Sequence, residues 1–433
     1  MVATSALMLV AVAACGTSVA DKSSGSLSPA PSATPTQASS LWHATALAYP
    51  DSILTPATKD VGERSFPHRD IVVSTGGLEL MDATARFAVI TDNDSSQLRL
   101  VDLRTGTFRV VLASPVTIHH PPSANWVKAK AGMLRRVGRA QLPTQIDHAE
   151  VSGTRLVWQE MLLANTGGVI PIATAIFTAH IGPRMRLGDP ELVAFSQPRF
   201  EPGSTQPTGG MYAEKRGLDY TFDGRRILLV RSGVWGTSSG GSVEAIDLPT
   251  NKRTALVQSP ANCWTEAALV GKRAALCFGQ SDEGRLLLYD FRQGPLPVNV
   301  AVLPHTGLPE ADLRGLALAR DGSAAWAAYY GGSLLNDDKE AVFLVSPGEP
   351  IRCLTADGGE PVFFGKTILW VGLNERGRFW LGGADTDTFE TFTVAGGDRI
   401  RGWGAVAGSG HTAVVLVPGG GRGTSTLRVF DVE

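Results

Sequence analysis

A strand–turn–strand unit that recurs seven times predicts an all-β fold, and a second strand signal in phase with it supports the same reading. The architecture that fits is a single β-propeller of about seven four-stranded blades over residues 67–433. Six or eight blades also fit, because two of the intervals between repeats are long. Composition agrees with many short strands and tight turns: 43% of the 433 residues are apolar, 18% are charged, and there are 49 glycines and nine tryptophans.

The first turn with its following strand reads Asp82-Ala-Thr-Ala-Arg86 into Phe87-Ala-Val-Ile90. It returns as Ser152-Gly-Thr-Arg155 into Leu156-Val-Trp158 and as Asp223-Gly-Arg-Arg226 into Ile227-Leu-Leu-Val230. Further copies centre on Gly271, Gly322, Gly365 and Ser409, at intervals of 43 to 51 residues, the period of a four-stranded blade. The two longer intervals place insertions near 113–144 and 198–216. A third strand follows in phase, as in Leu98-Arg-Leu-Val-Asp102, Leu286-Leu-Leu-Tyr-Asp290 and Leu427-Arg-Val-Phe-Asp431. The last of these leaves the seventh unit one strand short of four. Ile71-Val-Val-Ser74 is a suitable strand to complete it, so the N-terminal strand is expected to close the ring against the C-terminal blade.

Before the repeats, Ala6–Ala14 is an apolar run too short to span a bilayer and of a length suited to a signal peptide. Residues 16–66 form a tether and lead-in, rich in Ser, Pro, Thr and Ala as far as Ser40, where nothing can bury a core.

Two resemblances follow from short motifs. Val12-Ala13-Ala14-Cys15 resembles the lipobox of bacterial lipoproteins, which implies cleavage before Cys15 and acylation of its thiol. The implied location is the outer face of the cytoplasmic membrane, held by lipid on Cys15. Ala11-Val-Ala13 would also serve as an ordinary cleavage site, and the chain would then be secreted. Glu360-Pro-Val-Phe-Phe-Gly365, Thr221-Phe-Asp-Gly224 and Ala319-Arg-Asp-Gly322 resemble the strand–turn core of TolB-like and WD-repeat-like propellers. That resemblance implies architecture and carries over no functional residues.

A net charge of −2 speaks against a nucleic-acid binder, which needs a basic stripe or excess. The one basic stretch, Lys128, Lys130, Arg135, Arg136 and Arg139 beside Trp126, reads as a solvated loop or helix. Counting five residues back from each turn centre selects positions on the strand that lines a propeller's channel: Glu79, His148, Asp219, Glu266, Ala317, Glu360 and Gly404. Four are carboxylates. Converging oxygens there would suit a divalent cation or a cationic group on a ligand, with Asp147 and Glu150 close to His148. The plainer reading is that these carboxylates are solvated or bonded to backbone amides.

Cys263 and Cys277 flank a hairpin turn and either form a disulfide or stay as two separate thiols. Cys353 has no partner motif. His119-His120 reads as a loop pair, and no nucleophile elbow, metalloprotease helix or phosphate loop is present. The function expected from all this is a monomeric cell-envelope binding or scaffolding module for a protein, peptide or glycan partner. No cofactor is expected beyond a possible divalent cation in the channel. The alternative is a metal-dependent hydrolase or lyase that uses the acidic channel positions.

Overall fold

The computed structural model describes residues 45–46, 59–73, 77–92, 95–137, 144–165, 169–198, 200, 203–205, 218–231, 240–261, 264–279, 284–294, 297–303, 312–330, 339–347, 349–373, 378–395, 400, 405–418 and 424–431. Seven sheets make the ring, each at least four-stranded with its four blade strands antiparallel. In chain order the blades cover 78–112, 144–195, 218–261, 264–303, 312–355, 359–394 and 406–431. The innermost strand of each is its first, so every expected turn centre joins a channel strand to the second strand of its blade.

The seventh blade takes its outer strand from the other end of the chain. His68–Val73 pairs antiparallel with Ser425–Asp431, with Ile71 opposite Leu427 and Val73 opposite Ser425. Alternation explains the register: Ile71 and Val73 are buried while Val72 is 64% exposed. Asp70 accepts hydrogen bonds from Arg428 Nε and Nη2 at 3.0 Å each, and Arg69 reaches Asp431 at 2.6 Å. The lead-in before residue 67 contributes as well. Asp60–Arg64 lies parallel to the outer strand of blade VI, and Thr45–Ala46 lies parallel to that of blade IV. Between the closing strand and blade VI, Phe66 packs against Phe364, Phe392 and Phe430 at 5.6 to 6.3 Å.

The core is a set of apolar layers between neighbouring blades. Blades I and II share Phe87, Val89, Ile146, Leu156 and Trp158, and blades V and VI share Ala325, Leu344, Ile368 and Trp370. Tryptophan recurs at one position of the second strand and meets its cross-strand neighbour. Trp158 stacks on Phe177 and Trp326 on Phe343, each pair also being partners in the ladder. In blade VI the position opposite Trp370 is Gly382, where a Cβ would stand 2.4 Å from the indole nitrogen. There the glycine makes room for the ring.

The first insertion folds into a short 3-10 turn, Val116–Ile118, and a helix α1, Ala124–Val137. Trp126, Ala129 and Met133 of α1 are buried, and Trp126 and Ala129 join the apolar layer of blades I and II. Blade II anchors the turn through Glu160, which is fully buried and accepts four hydrogen bonds. The donors are the Val116 amide (2.6 Å), the Thr117 amide and hydroxyl (2.8 Å each) and the Trp158 indole (2.9 Å).

Candidate functional site

Five channel-strand positions with ionisable side chains were expected, and all five lie on innermost strands. Glu79 is on blade I, His148 on blade II, Asp219 on blade III, Glu266 on blade IV and Glu360 on blade VI. Ala317 stands on blade V, and Gly404 lies outside the described residues.

The ring brings Glu79, His148 and Asp219 together and adds neighbours. In blade II the ladder slips between Ile146 and His148, so Asp147 is the extra residue of a bulge. A bulge re-aims side chains, and here Asp147 is left exposed to channel water beside a half-buried His148. Asp147 feels Asp219 and Glu79 from the flanking blades. Partial desolvation raises its carboxyl above the usual range, His148 opposes this, and the two flanking carboxylates add to the rise.

Behind Asp147 lies a hydrogen-bonded set. His148 Nε2 meets Glu150 Oε1 at 3.0 Å, and its ring packs on Tyr220 with centroids 5.1 Å apart. Tyr220 donates its hydroxyl to the Val157 carbonyl at 2.9 Å. Burial works against a charged imidazole, but Glu150, Asp219 and Asp82 outweigh it and push His148 up to about 9. His148 is therefore an imidazolium at neutral pH. Burial, reinforced by Glu150, pushes Asp82 up to about 7 despite amide bonds from Val151 and Ala83. Burial also raises Glu150, against the pull of His148 and the Phe222 amide.

Several of these carboxylates fasten one blade to the next. Asp82 of blade I accepts the Val151 amide of blade II at 2.7 Å, and Glu150 of blade II accepts the Phe222 amide of blade III at 2.6 Å. Glu266 of blade IV accepts the Leu316 amide of blade V at 3.0 Å. Innermost strands of adjacent blades do not pair with each other, so their facing amides need acceptors from side chains. Glu360 occupies a bulge with φ +52°, directly against Gly315 of blade V.

The corner made by blades I to III thus holds Glu79, Asp82, Asp147, Glu150 and Asp219 around one imidazolium. Among the described residues, no Lys or Arg is among the largest influences on the charge states of Asp82, Asp147, His148 or Glu150. Chemically it is a partly exposed acidic corner, suited to an ammonium or guanidinium group. Among the described residues no three His, Cys, Asp or Glu side chains converge as a metal-binding set.

No family model matches the chain, and no curated protein matches it. Solved structures do. TolB from Acinetobacter baumannii aligns at 12% identity over 82% of this chain and 78% of that one, with a TM-score of 0.39. The chain has TolB-like propellers among its structural neighbours. The β-propeller domain of the Trilobed protease from Pyrococcus furiosus aligns at 11% identity over 67% of this chain and 82% of that one, TM-score 0.42. Pyrococcus horikoshii acylaminoacyl peptidase aligns at 8% identity, TM-score 0.45, over 83% of this chain but 51% of the peptidase. The likeness is one of fold.

The remaining expected residues of the propeller are simply placed. Cys15, Cys263 and the side chain of Cys277 lie outside the described residues. Cys353 is a buried free thiol on the outer strand of blade V, and burial pushes it up to about 11. His119 and His120 are exposed at the end of the 3-10 turn. No helix among the described residues is long and apolar enough to cross a membrane.

Asp82 and the bonding role of Glu150 are the site features that counting from the turn missed. The only sequence signal was an acidic residue two or three positions before the first two turn centres.

Proposed function

We propose that this propeller is an extracytoplasmic binding module whose channel mouth takes a cationic side chain of a protein or peptide partner. The observation that carries the reading is the charge balance at blades I to III. Five carboxyl groups surround one imidazolium, and the three that no neighbouring-blade amide engages in the bonds described, Asp147, Glu79 and Asp219, are exposed. A lysine or arginine would find acceptors there and would relieve repulsion among the carboxylates. Export and lipid attachment at Cys15, or release after an ordinary cleavage, belong to the same proposal and rest on the N-terminal motif alone.

The metal-dependent hydrolase or lyase reading has less support. Asp82, Glu150 and Glu266 each give an oxygen to a backbone amide of the next blade, and among the described residues no three candidate ligands converge.

The experiment is to pan a displayed random-peptide library against the wild-type chain and against Asp147→Asn/Asp219→Asn. Enrichment of Lys and Arg on the wild type alone is expected. The same peptides emerging from both proteins, or no enrichment, would overturn the proposal.

A further inference from the structure

The charge of the chain is unevenly distributed. Residues 103–146 contain seven of the 39 Lys and Arg residues and none of the 41 Asp and Glu residues, in a chain of net charge −2. The same segment holds four of the eight exposed large hydrophobics among the described residues: Phe108, Val110, Val127 and Leu134. Basic and apolar exposure therefore coincide in one segment of the chain.

Helix α1 arranges this exposure. Its buried face carries Trp126, Ala129 and Met133. At 3.6 residues per turn, Val127, Ala131 and Leu134 form one stripe on the opposite face, spaced i, i+4 and i+7. Val127 is 50% and Leu134 37% exposed. Lys128 and Arg135 flank the stripe on one side, and half-buried Lys130 flanks it on the other. None of these three cations has an ion pair among the described residues, whereas Arg69, Arg225, Arg292 and Arg428 elsewhere are each paired with an aspartate. Lys128 lies over the face of Phe200, 4.3 Å from the ring centroid. Glu160, the nearby carboxylate, is fully buried and already accepts four hydrogen bonds.

An outward apolar stripe edged by unpaired cations is the pattern of a helix that lies in a lipid–water interface. The apolar side chains enter the acyl boundary while the cations meet anionic headgroups. An acidic protein surface would satisfy the charges, but it would bring carboxylates against the exposed valine and leucine.

We propose that α1 docks the propeller onto an anionic phospholipid surface, through Val127 and Leu134 and the cations Lys128, Lys130 and Arg135. This contact is separate from the lipid expected on Cys15 and from the acidic corner of the channel.

The test uses the full chain as Cys15→Ser, so that acylation plays no part, in sedimentation with two kinds of vesicle. One is phosphatidylcholine alone, and the other is equal parts phosphatidylcholine and phosphatidylglycerol. Each basic residue at an anionic surface multiplies binding about fivefold. Lys128→Glu/Arg135→Glu should therefore cut binding to the anionic vesicles by at least about 25-fold. Leu134→Ser alone, which keeps every charge, should also weaken it. Binding by the parent should fall as salt rises and be negligible on neutral vesicles. Absence of binding to anionic vesicles, equal binding to both kinds, or full binding by the charge-reversed variant would overturn the proposal. Unchanged thermal midpoints keep misfolding out of the comparison.

Discussion

Replacing Glu160 measures how firmly the inserted turn and helix are fixed to blade II. Its Oε1 accepts the Val116 amide and the Trp158 indole, and its Oε2 accepts the Thr117 amide and hydroxyl. Glu160→Gln keeps the shape but replaces one oxygen with an NH2 group. The carboxamide oxygen fits better at the Oε1 place, because the NH2 group would face two N–H donors there. At the Oε2 place it faces one, since the Thr117 hydroxyl can turn and accept. One buried amide is then unsatisfied and opposed by a donor, a loss of about 2–3 kcal/mol. Glu160→Ala leaves two amides, an indole and a hydroxyl without their acceptor and opens a cavity. Water will recover part of the loss, so about 4 kcal/mol is expected. Urea unfolding followed by tryptophan fluorescence gives both values, and limited proteolysis between 113 and 143 reports whether the insertion loosens first. A loss below about 1 kcal/mol for Glu160→Ala, with no new cleavage in that segment, would refute the reasoning.

Three further outcomes follow from the same geometry. Ile71→Ala in the closing strand should lower stability by about 2–4 kcal/mol in urea melts, because Ile71 is 8% exposed and lies in the apolar layer shared by blades VI, VII and I. Gly315→Ala combines φ +62° with a Cβ 2.8 Å from the Glu360 Cα and 3.1 Å from the Pro361 Cδ, so a loss of about 2–4 kcal/mol is expected from the same melts. Stability should also fall from mildly acidic to basic pH. His148, raised to about 9, stabilises fully below its unfolded value near 6.5, and that contribution is lost as pH rises through about 9. Asp82, raised to about 7, holds its proton more tightly when folded, so its contribution is lost as pH rises through about 7. Thermal midpoints from pH 5 to 10 should decline, and His148→Asn should flatten the upper part of the curve. A midpoint that rises across that range would contradict the charge states assigned to the corner.

The ring was legible in the sequence because its turns are chemically marked and its second strands are strongly apolar. The closing strand was legible because Ile71 and Val72-Val73 supply the strand that the seventh repeat lacks. Two kinds of feature were not. A bulge adds one residue without a sequence mark, so counting back from Gly153 reaches His148 but does not reveal that Asp147 is turned to the channel. Bonds between blades join residues far apart in sequence, such as Asp82 with Val151 and Glu266 with Leu316, and no local pattern announces them. The parallel additions by Asp60–Arg64 and Thr45–Ala46 were hidden for another reason. Asp60–Arg64 is exposed along its whole length and held mainly by backbone pairing, so it lacks the apolar alternation that marks a strand.

The measurement that bears most directly on the binding reading is a calorimetric titration of the full chain with an arginine-containing peptide. The references are its serine-substituted counterpart and the Asp147→Asn/Asp219→Asn variant. Binding of the arginine peptide to the wild type, weakened about tenfold or more in the variant and absent with the serine peptide, is the predicted result. No binding, or an affinity that the variant leaves unchanged, would contradict it.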